Sequence, residues 1–195
     1  MIIGIINSKG GVGKTTSAIY LASAFSKAGK DVVVIDMDHQ GSASDWADRA
    51  EDAGTPLPFP VDLSNAKRLP RLLRTLDPDT VVILDTPPGT PDVIDAAIAA
   101  ADFIVVPTRS YGLDVSRVWE TLPSIEHLPY RVLLTQVRLG TNSLGGVLSS
   151  LQAEGIPTFQ TVIPLRESIA DCLGEVPTKH EGYDLIAETI MEDLK

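Results

Sequence analysis

The sequence predicts an α/β fold of the doubly wound kind, in which a mostly parallel sheet carries helices on both faces and makes three layers. Short apolar runs alternate along the chain with segments whose apolar residues recur at helical spacing. Three of these runs, which end at Asn7, Asp36 and Asp85, are continuously apolar, as is typical of strands buried on both faces of a parallel sheet. A chain of 195 residues suffices for one such unit, so we expect a single domain over residues 1–195.

Composition restricts the possible partners and compartments. Acidic residues outnumber basic ones 26 to 16, which gives a net charge of −10, so contact with DNA or anionic lipid requires a local basic patch. The single cysteine, Cys172, excludes an internal disulfide and a one-chain cysteine metal cluster, and we expect it to be at least half-buried. No apolar run reaches membrane-spanning length, and the apolar start is too short for a signal peptide. We therefore expect a cytoplasmic protein.

The first strand runs directly into a glycine-rich loop and then a helix that extends to about Ala28. Glycines allow consecutive backbone N–H groups to surround a polyphosphate, and the start of a helix adds its positive dipole end. In this pattern Lys14 reaches the outer phosphates and the Thr15 hydroxyl can bind Mg²⁺. The segment is a P-loop, and its predicted nucleotide-binding residues are Lys9, Gly10, Gly11, Val12, Gly13, Lys14, Thr15 and Thr16.

Acidic residues end two further strands. The run 31–36 leads into Asp36-Met37-Asp38, and the run 80–85 ends at Asp85. Because parallel strands bring their carboxyl ends to one crevice, we expect these carboxylates to lie near the P-loop, with Asp85 close to Thr15.

The rest of the chain continues the alternation. We predict a helix over 44–53 in which Trp46 is a packing anchor, and a helix around Leu69 to Leu76 whose arginines form a solvated basic face. The remaining predicted elements are helices over 91–101 and 113–122, strands over 102–107, 130–136 and 158–163, a short helix after Pro164, and an acidic amphipathic helix over 183–194.

The loop departs from the usual P-loop spacing at two adjacent positions, because Ser8 stands where a glycine is usual and Lys9 adds a second lysine. The resulting Lys-Gly-Gly-x-x-Gly-Lys-Thr pattern resembles the deviant Walker A motif of the ParA/MinD family of ATPases. The resemblance extends over most of the chain. The run from Gln40 to Trp46 and the short length resemble most closely the small ParA, or ParF-like, partition ATPases.

This resemblance implies roles for individual residues. Lys9 would reach the phosphates bound by the partner subunit of a nucleotide-sandwich dimer, and Asp38 would position the attacking water. The resemblance assigns Asp36 and Asp85 to Mg²⁺ through bound water. Gln136, which replaces a more frequent asparagine, and Pro164 would approach the adenine. The implied catalytic residues are therefore Lys9, Lys14 and Asp38, and the implied metal-binding residues are Thr15, Asp36 and Asp85.

The resemblance also implies a function. Members of the family use ATP and Mg²⁺, dimerise with ATP, bind nucleoid DNA without sequence preference, and hydrolyse ATP slowly until a ParB-like or other cargo-adaptor protein stimulates them. The expected function is thus partition or positioning of plasmid or chromosomal DNA, or of another cargo. The alternative is a MinD-like membrane-associated regulator, but its membrane-binding helix would be basic, whereas the tail of this chain is acidic. We therefore expect no stable membrane association. The sequence does not show which basic residues would contact DNA, because Arg109, Arg117, Arg131, Arg138 and Lys179 are scattered along it, and we expect each of them to be solvated.

Overall fold

The computed structural model describes the backbone of residues 1–195 and all side chains except those of residues 112–115, 117 and 142. Six strands form one sheet: β1 Ile2–Ile5, β2 Val32–Asp36, β3 Val61–Leu63, β4 Val81–Asp85, β5 Phe103–Arg109 and β6 Tyr130–Thr135. All five pairings are parallel, in the order β3-β2-β4-β1-β5-β6. The predicted fold class is confirmed, and the sheet is parallel throughout rather than mostly parallel.

Helices cover both faces of the sheet. They are α1 Lys14–Lys27, α2 Ser42–Asp52, α3 Leu69–Leu73, α4 Pro91–Ala100, α5 Gly112–Ile125, α6 Asn142–Ala153, α7 Glu167–Ala170 and α8 Tyr183–Asp193. The buried residues of α1, α2 and α8 pack with one side of the strands, which includes Ile3, Val34 and Ile83. Those of α3, α4, α5 and α6 pack with the other side, which includes Val33 and Leu84. The alternation of strand side chains between two cores explains why the strand sequences are continuously apolar.

This topology places the functional loops together. β1 lies inside the sheet, between β4 and β5, and its helix connection leads to the far side of β4. The chain therefore changes direction at β1, and loops that leave the carboxyl ends of β1, β2 and β4 meet above that point. Ligands of open parallel sheets bind at such a switch point.

In the second half of the chain the structure corrects one expectation and adds one helix that was not expected. The strand predicted over 158–163 does not form, and two isolated bridges, Val132 to Thr158 and Val137 to Pro164, replace it. Phe159 N and Ile163 N, four residues apart, donate to Val132 O and Leu134 O, which are only two apart, so the residues between them leave the ladder. Helix α6 was not predicted at all.

Smaller expectations are confirmed. Cys172 is buried, and Trp46 is 3% exposed and packs edge-on against Tyr20. None of the helices described here is both long and apolar enough to traverse a bilayer. Arg117, which we expected to be solvated, lies outside the described side chains.

Candidate functional site

Side chains hold the carbonyl groups of the glycine-rich loop. Lys14 Nζ donates to Lys9 O at 2.8 Å, Gln136 Nε2 to Gly11 O at 3.1 Å, and Thr135 Oγ1 to Val12 O at 2.8 Å. In a trans peptide the C=O and the following N–H point in opposite directions. The N–H groups that follow these carbonyls are therefore directed away from the side chains that hold the carbonyls, and the loop lines a cleft of about 380 Å³. A glycine-rich loop beside an open cleft is the arrangement that binds polyphosphate.

The loop conformation explains two of its glycines. Gly11 has φ of 72° and Gly13 has φ of 85°, in the left-handed region that other residues rarely adopt. Gly13 is also the N-cap of α1, so the helix begins at Lys14 and directs its positive end at the cleft. Lys9 is partly exposed, and its backbone N–H donates to Asn7 Oδ1 at 2.8 Å. The structure thus brings all eight predicted loop residues into one turn.

The predicted acidic residues lie beside the loop. Asp36 and Asp85 are register partners on the adjacent strands β2 and β4, and Asp85 is also paired with Ile5 of β1. Asp38 lines the cleft together with Lys14 and Thr15. The ends of the parallel strands thus place these three acids near one another beside the loop, and their roles stay a prediction.

The Asp36 carboxylate is fully engaged with protein donors. Its Oδ1 accepts from Asp38 N at 3.0 Å, and its Oδ2 accepts from both Ser44 N and Ser44 Oγ at 3.0 Å. Asp36 therefore holds the segment between β2 and α2 in place. This structural role is additional to the water-mediated metal contact that the resemblance implies.

Asp85 has the opposite environment. Its side chain is buried, and neither carboxylate oxygen has a hydrogen-bond partner among the described residues. Burial raises the pKa of Asp85 to about 7; the Thr15 hydroxyl and the Lys14 ammonium lower it, and the Asp36 carboxylate adds to the increase. Thr15 is near enough to act on this pKa without reaching hydrogen-bond geometry. A buried carboxylate without a partner is costly unless a cation or its bound water occupies the space beside it.

These donors fit a magnesium ion. Across the described part of the chain, no three histidine, cysteine or acidic side chains converge in a way that could hold a metal. Magnesium, in contrast, needs only one or two protein oxygen ligands, because phosphate and water complete its shell. The Thr15 hydroxyl can supply one such ligand, and the Asp85 carboxylate can accept from a water of the shell.

Two further groups set the charge of the cleft. Lys14 is 7% exposed, and burial lowers its pKa, while the carboxylates of Asp85 and Asp38 raise it. Asp38 Oδ1 accepts from Gln40 N at 2.9 Å, and the His39 ring lies 3.5 Å away. One Asp38 oxygen is thus held by the backbone, which orients the carboxylate at the edge of the cleft.

A second cavity, of about 390 Å³, adjoins the phosphate cleft. Both cavities are lined by Gly13, Thr16, Trp46, Gln136 and Leu173, so they lie side by side. The second cavity also includes Pro164, so both residues predicted to approach adenine line it. Gln136, however, has φ of 51° and donates its side chain to the loop rather than into the cavity.

Sequence reasoning missed several residues of this site. Thr135 ends β6, and only the tertiary structure shows that its hydroxyl holds the loop. Trp46 was predicted to be a packing residue and is one, but it lines both cavities as well. Arg166, Ile169 and Leu173 come from the segment after Pro164, and no motif in that segment indicates a binding site.

Comparison with known proteins agrees with this geometry. Residues 3–176 match the family model described as the CobQ/CobB/MinD/ParA nucleotide binding domain. The chain is 39% identical over 171 residues to the maintenance of carboxysome distribution protein A of Gloeobacter kilaueensis, covering 83% of this chain and 76% of that protein. It is 32% identical to the chromosome-partitioning ATPase Soj of Thermus thermophilus, covering 97% of this chain and 94% of Soj.

A solved structure shows the same fold at lower identity. Cobyrinic acid a,c-diamide synthase from Mycobacterium smegmatis, solved with an ATP analog and magnesium, superposes with a TM-score of 0.78 at 21% identity, over 98% of this chain and 94% of that one. The family match, the two relatives and the assembled P-loop agree: the chain belongs to the CobQ/CobB/MinD/ParA family of nucleotide-binding domains and is an ATPase of its ParA/MinD branch.

Proposed function

We propose that the chain is a partition or positioning ATPase that dimerises with ATP, binds DNA without sequence preference in that state, and is released when a partner protein stimulates hydrolysis. The observation that carries the proposal is the cleft lined by Lys14, Thr15 and Asp38, with the buried Asp85 carboxylate, unpartnered among the described residues, close to Thr15 and Lys14. The relatives named as partition or distribution proteins support the cellular role, with plasmid or chromosomal DNA or another body as cargo.

The chemistry proposed for the cleft is ATP hydrolysis. The N–H groups of residues 10–16 and the Lys14 ammonium hold the phosphates, and Lys9 extends to the phosphates of the second subunit. Asp38 orients a water so that its oxygen attacks the terminal phosphorus, and the bond to the ADP oxygen breaks. Bound Mg²⁺, held by Thr15 and by Asp85 and Asp36 through water, would neutralise charge on the phosphates. The base would occupy the cavity lined by Gln136 and Pro164.

Slow turnover follows from this set of residues. Asp38 can orient water, but a transition state for phosphoryl transfer is commonly stabilised by a further cation from outside. A ParB-like or other cargo-adaptor partner would supply that stimulation. Hydrolysis then acts as a timer on the dimer.

The alternative, a membrane-associated regulator, has less support. The apolar face of α8 is already buried in the core through Tyr183, Ile186 and Ile190, and its exposed positions include Asp184 and Glu188. An interfacial helix needs a free apolar face and basic flanks. We therefore propose association with the nucleoid and no stable association with membrane.

The test measures binding of the protein to a random-sequence duplex in low salt, with ATP and Mg²⁺ or with ADP and Mg²⁺. We expect binding with ATP and little with ADP, because two weak basic surfaces in a dimer act together on one duplex. Vesicles that contain phosphatidylglycerol are the parallel sample. Binding to vesicles with ATP but not to DNA would refute the partition function in favour of the membrane-associated one.

A further inference from the structure

A cluster of four basic residues interrupts an otherwise acidic chain. Lys67, Arg68, Arg71 and Arg74, here called the α3 patch, lie within eight positions, and residues 63–76 contain no aspartate or glutamate. The protein as a whole has 26 acidic and 16 basic residues, so one quarter of its positive charge is concentrated in this segment. Such segregation creates a local positive field that the net charge of −10 conceals.

The packing of α3 places the α3 patch on the side of the helix that faces away from the core. Leu69 is 1% exposed, and Leu72 and Leu73 pack against the same core. The leucines thus occupy the inner side of this short helix. All four residues of the α3 patch are exposed, so they form a basic surface on the outer side of the helix, opposite the leucines.

The arginines of the α3 patch differ in their partners from three other arginines of the chain. Arg49, Arg131 and Arg166 form ion pairs with Asp45, Asp193 and Glu181 at 2.8, 2.6 and 3.0 Å. Arg131 was expected to be solvated, but its bidentate pair with Asp193 occupies its guanidinium.

No carboxylate of the described residues lies within ion-pair distance of Lys67, Arg68, Arg71 or Arg74. Arg74 Nε donates only to the backbone oxygen of Pro70, at 3.1 Å. The charge of the patch is therefore available to an external anion.

A groove of about 700 Å³ runs beside the patch, between α3 and the carboxyl end of β3. Lys67, Arg68 and Arg71 line it, and Asp62 belongs to the same lining, so three cations and one carboxylate face this space. Ser64 N donates to Asp36 O at 2.9 Å, which attaches the groove to the strand that carries Asp36. The groove and the nucleotide cleft thus lie at the same edge of the sheet.

We propose that the α3 patch is a surface through which this protein contacts the phosphate backbone of duplex DNA; this rests on the DNA-binding function proposed above. Guanidinium groups bind phosphate oxygens in a bidentate manner and carry no base preference, which suits binding without sequence specificity. A lipid surface fits less well, because interfacial helices insert apolar side chains and the leucines of α3 face the core.

The experiment compares two triple variants in the full-length protein with a non-hydrolysable ATP analogue and Mg²⁺. One carries Arg68→Gln, Arg71→Gln and Arg74→Gln. The control carries Lys27→Gln, Lys30→Gln and Lys195→Gln, which removes the same charge from exposed positions elsewhere. Dissociation constants for a random duplex are measured over a series of salt concentrations, and dimerisation and thermal unfolding are measured for each variant.

We expect the arginine variant to bind duplex about tenfold more weakly or worse, while the control variant stays near wild type. Each lost phosphate contact reduces the slope of log K against log salt by about 0.9, so three contacts reduce it by about 2.7 for each engaged subunit. ATP-dependent dimerisation and the melting temperature should be unchanged in both variants.

The outcomes separate this inference from the proposed function. If wild type binds duplex with ATP and the arginine variant keeps its affinity and salt slope, the patch assignment is wrong and the DNA-binding function stands. If both variants lose affinity equally, the effect is one of net charge and the assignment is again wrong. If wild type binds no duplex at low salt, the proposed function itself fails. Loss of binding to phosphatidylglycerol vesicles alone would reassign the patch to a membrane.

Discussion

Replacing the buried Asp85 by asparagine should stabilise the nucleotide-free protein increasingly as pH rises. The carboxylate has no hydrogen-bond partner among the described residues, and burial raises its pKa from 3.8 to about 7. The folded protein therefore keeps its proton in a range where the unfolded chain has lost it. Asparagine has nearly the same shape and does not ionise, so the comparison isolates the charge.

The direction follows from linkage. Because the folded-state pKa is above the unfolded-state value, the contribution of Asp85 to stability is present below pH 3.8 and is lost as pH rises to about 7. One pKa unit corresponds to about 1.36 kcal/mol. From about pH 5 to about pH 7 the free energy of unfolding of the wild type should thus fall by roughly 2 kcal/mol relative to that of the asparagine variant. For a domain of this size that equals roughly 4 to 8 °C in melting temperature.

The assay is thermal unfolding of both proteins between pH 5 and pH 8 without nucleotide, followed by the same series with ATP and Mg²⁺. All other titrating groups are common to both proteins, so the difference in melting temperature reports Asp85 alone. Adding ATP and Mg²⁺ should raise the melting temperature of the wild type more than that of the variant. Bound ligand stabilises the protein that binds it, and the variant lacks the carboxylate proposed to hold Mg²⁺. A difference that does not change with pH, or one that shrinks as pH rises, would refute the argument from burial.

Three further substitutions separate the roles in the cleft. Lys14→Ala should lower the affinity for ATP, measured by calorimetry, at least tenfold, because the phosphates lose their buried cation. Tight ATP binding by this variant would overturn the P-loop assignment. Lys9→Ala should still bind ATP but stay monomeric in light scattering with ATP, since the proposed target of Lys9 is on the other subunit; normal dimerisation would contradict this. Asp38→Ala should bind ATP and dimerise but turn over at least about a hundredfold more slowly in a phosphate-release assay, and unchanged turnover would assign water positioning elsewhere.

Local patterns were sufficient for the fold class and for most of the cleft. A glycine-rich turn between an apolar strand and a helix has few other uses, and acids at the ends of parallel strands must converge on the same edge of the sheet. Helix α6 was missed although Leu144, Val147, Leu148 and Leu151 have helical spacing, because Gly145 and Gly146 interrupt the segment and lower its helical propensity. The strand expected over 158–163 has a strand-like composition, but its spacing does not match that of β6.

The sequence by itself determined which residues form the phosphate loop and which acids stand beside it, because these features depend on neighbours within a few positions. Only the tertiary structure decided how the two strand-end aspartates differ. Asp36 receives three donors from the segment that follows it, whereas Asp85 is enclosed by β1 and β2 and receives none from the described residues. Desolvation and hydrogen bonding depend on groups that are close in space and distant in sequence, and no local pattern encodes them. The Thr135 hydroxyl, which donates to the loop carbonyl of Val12, is one such group.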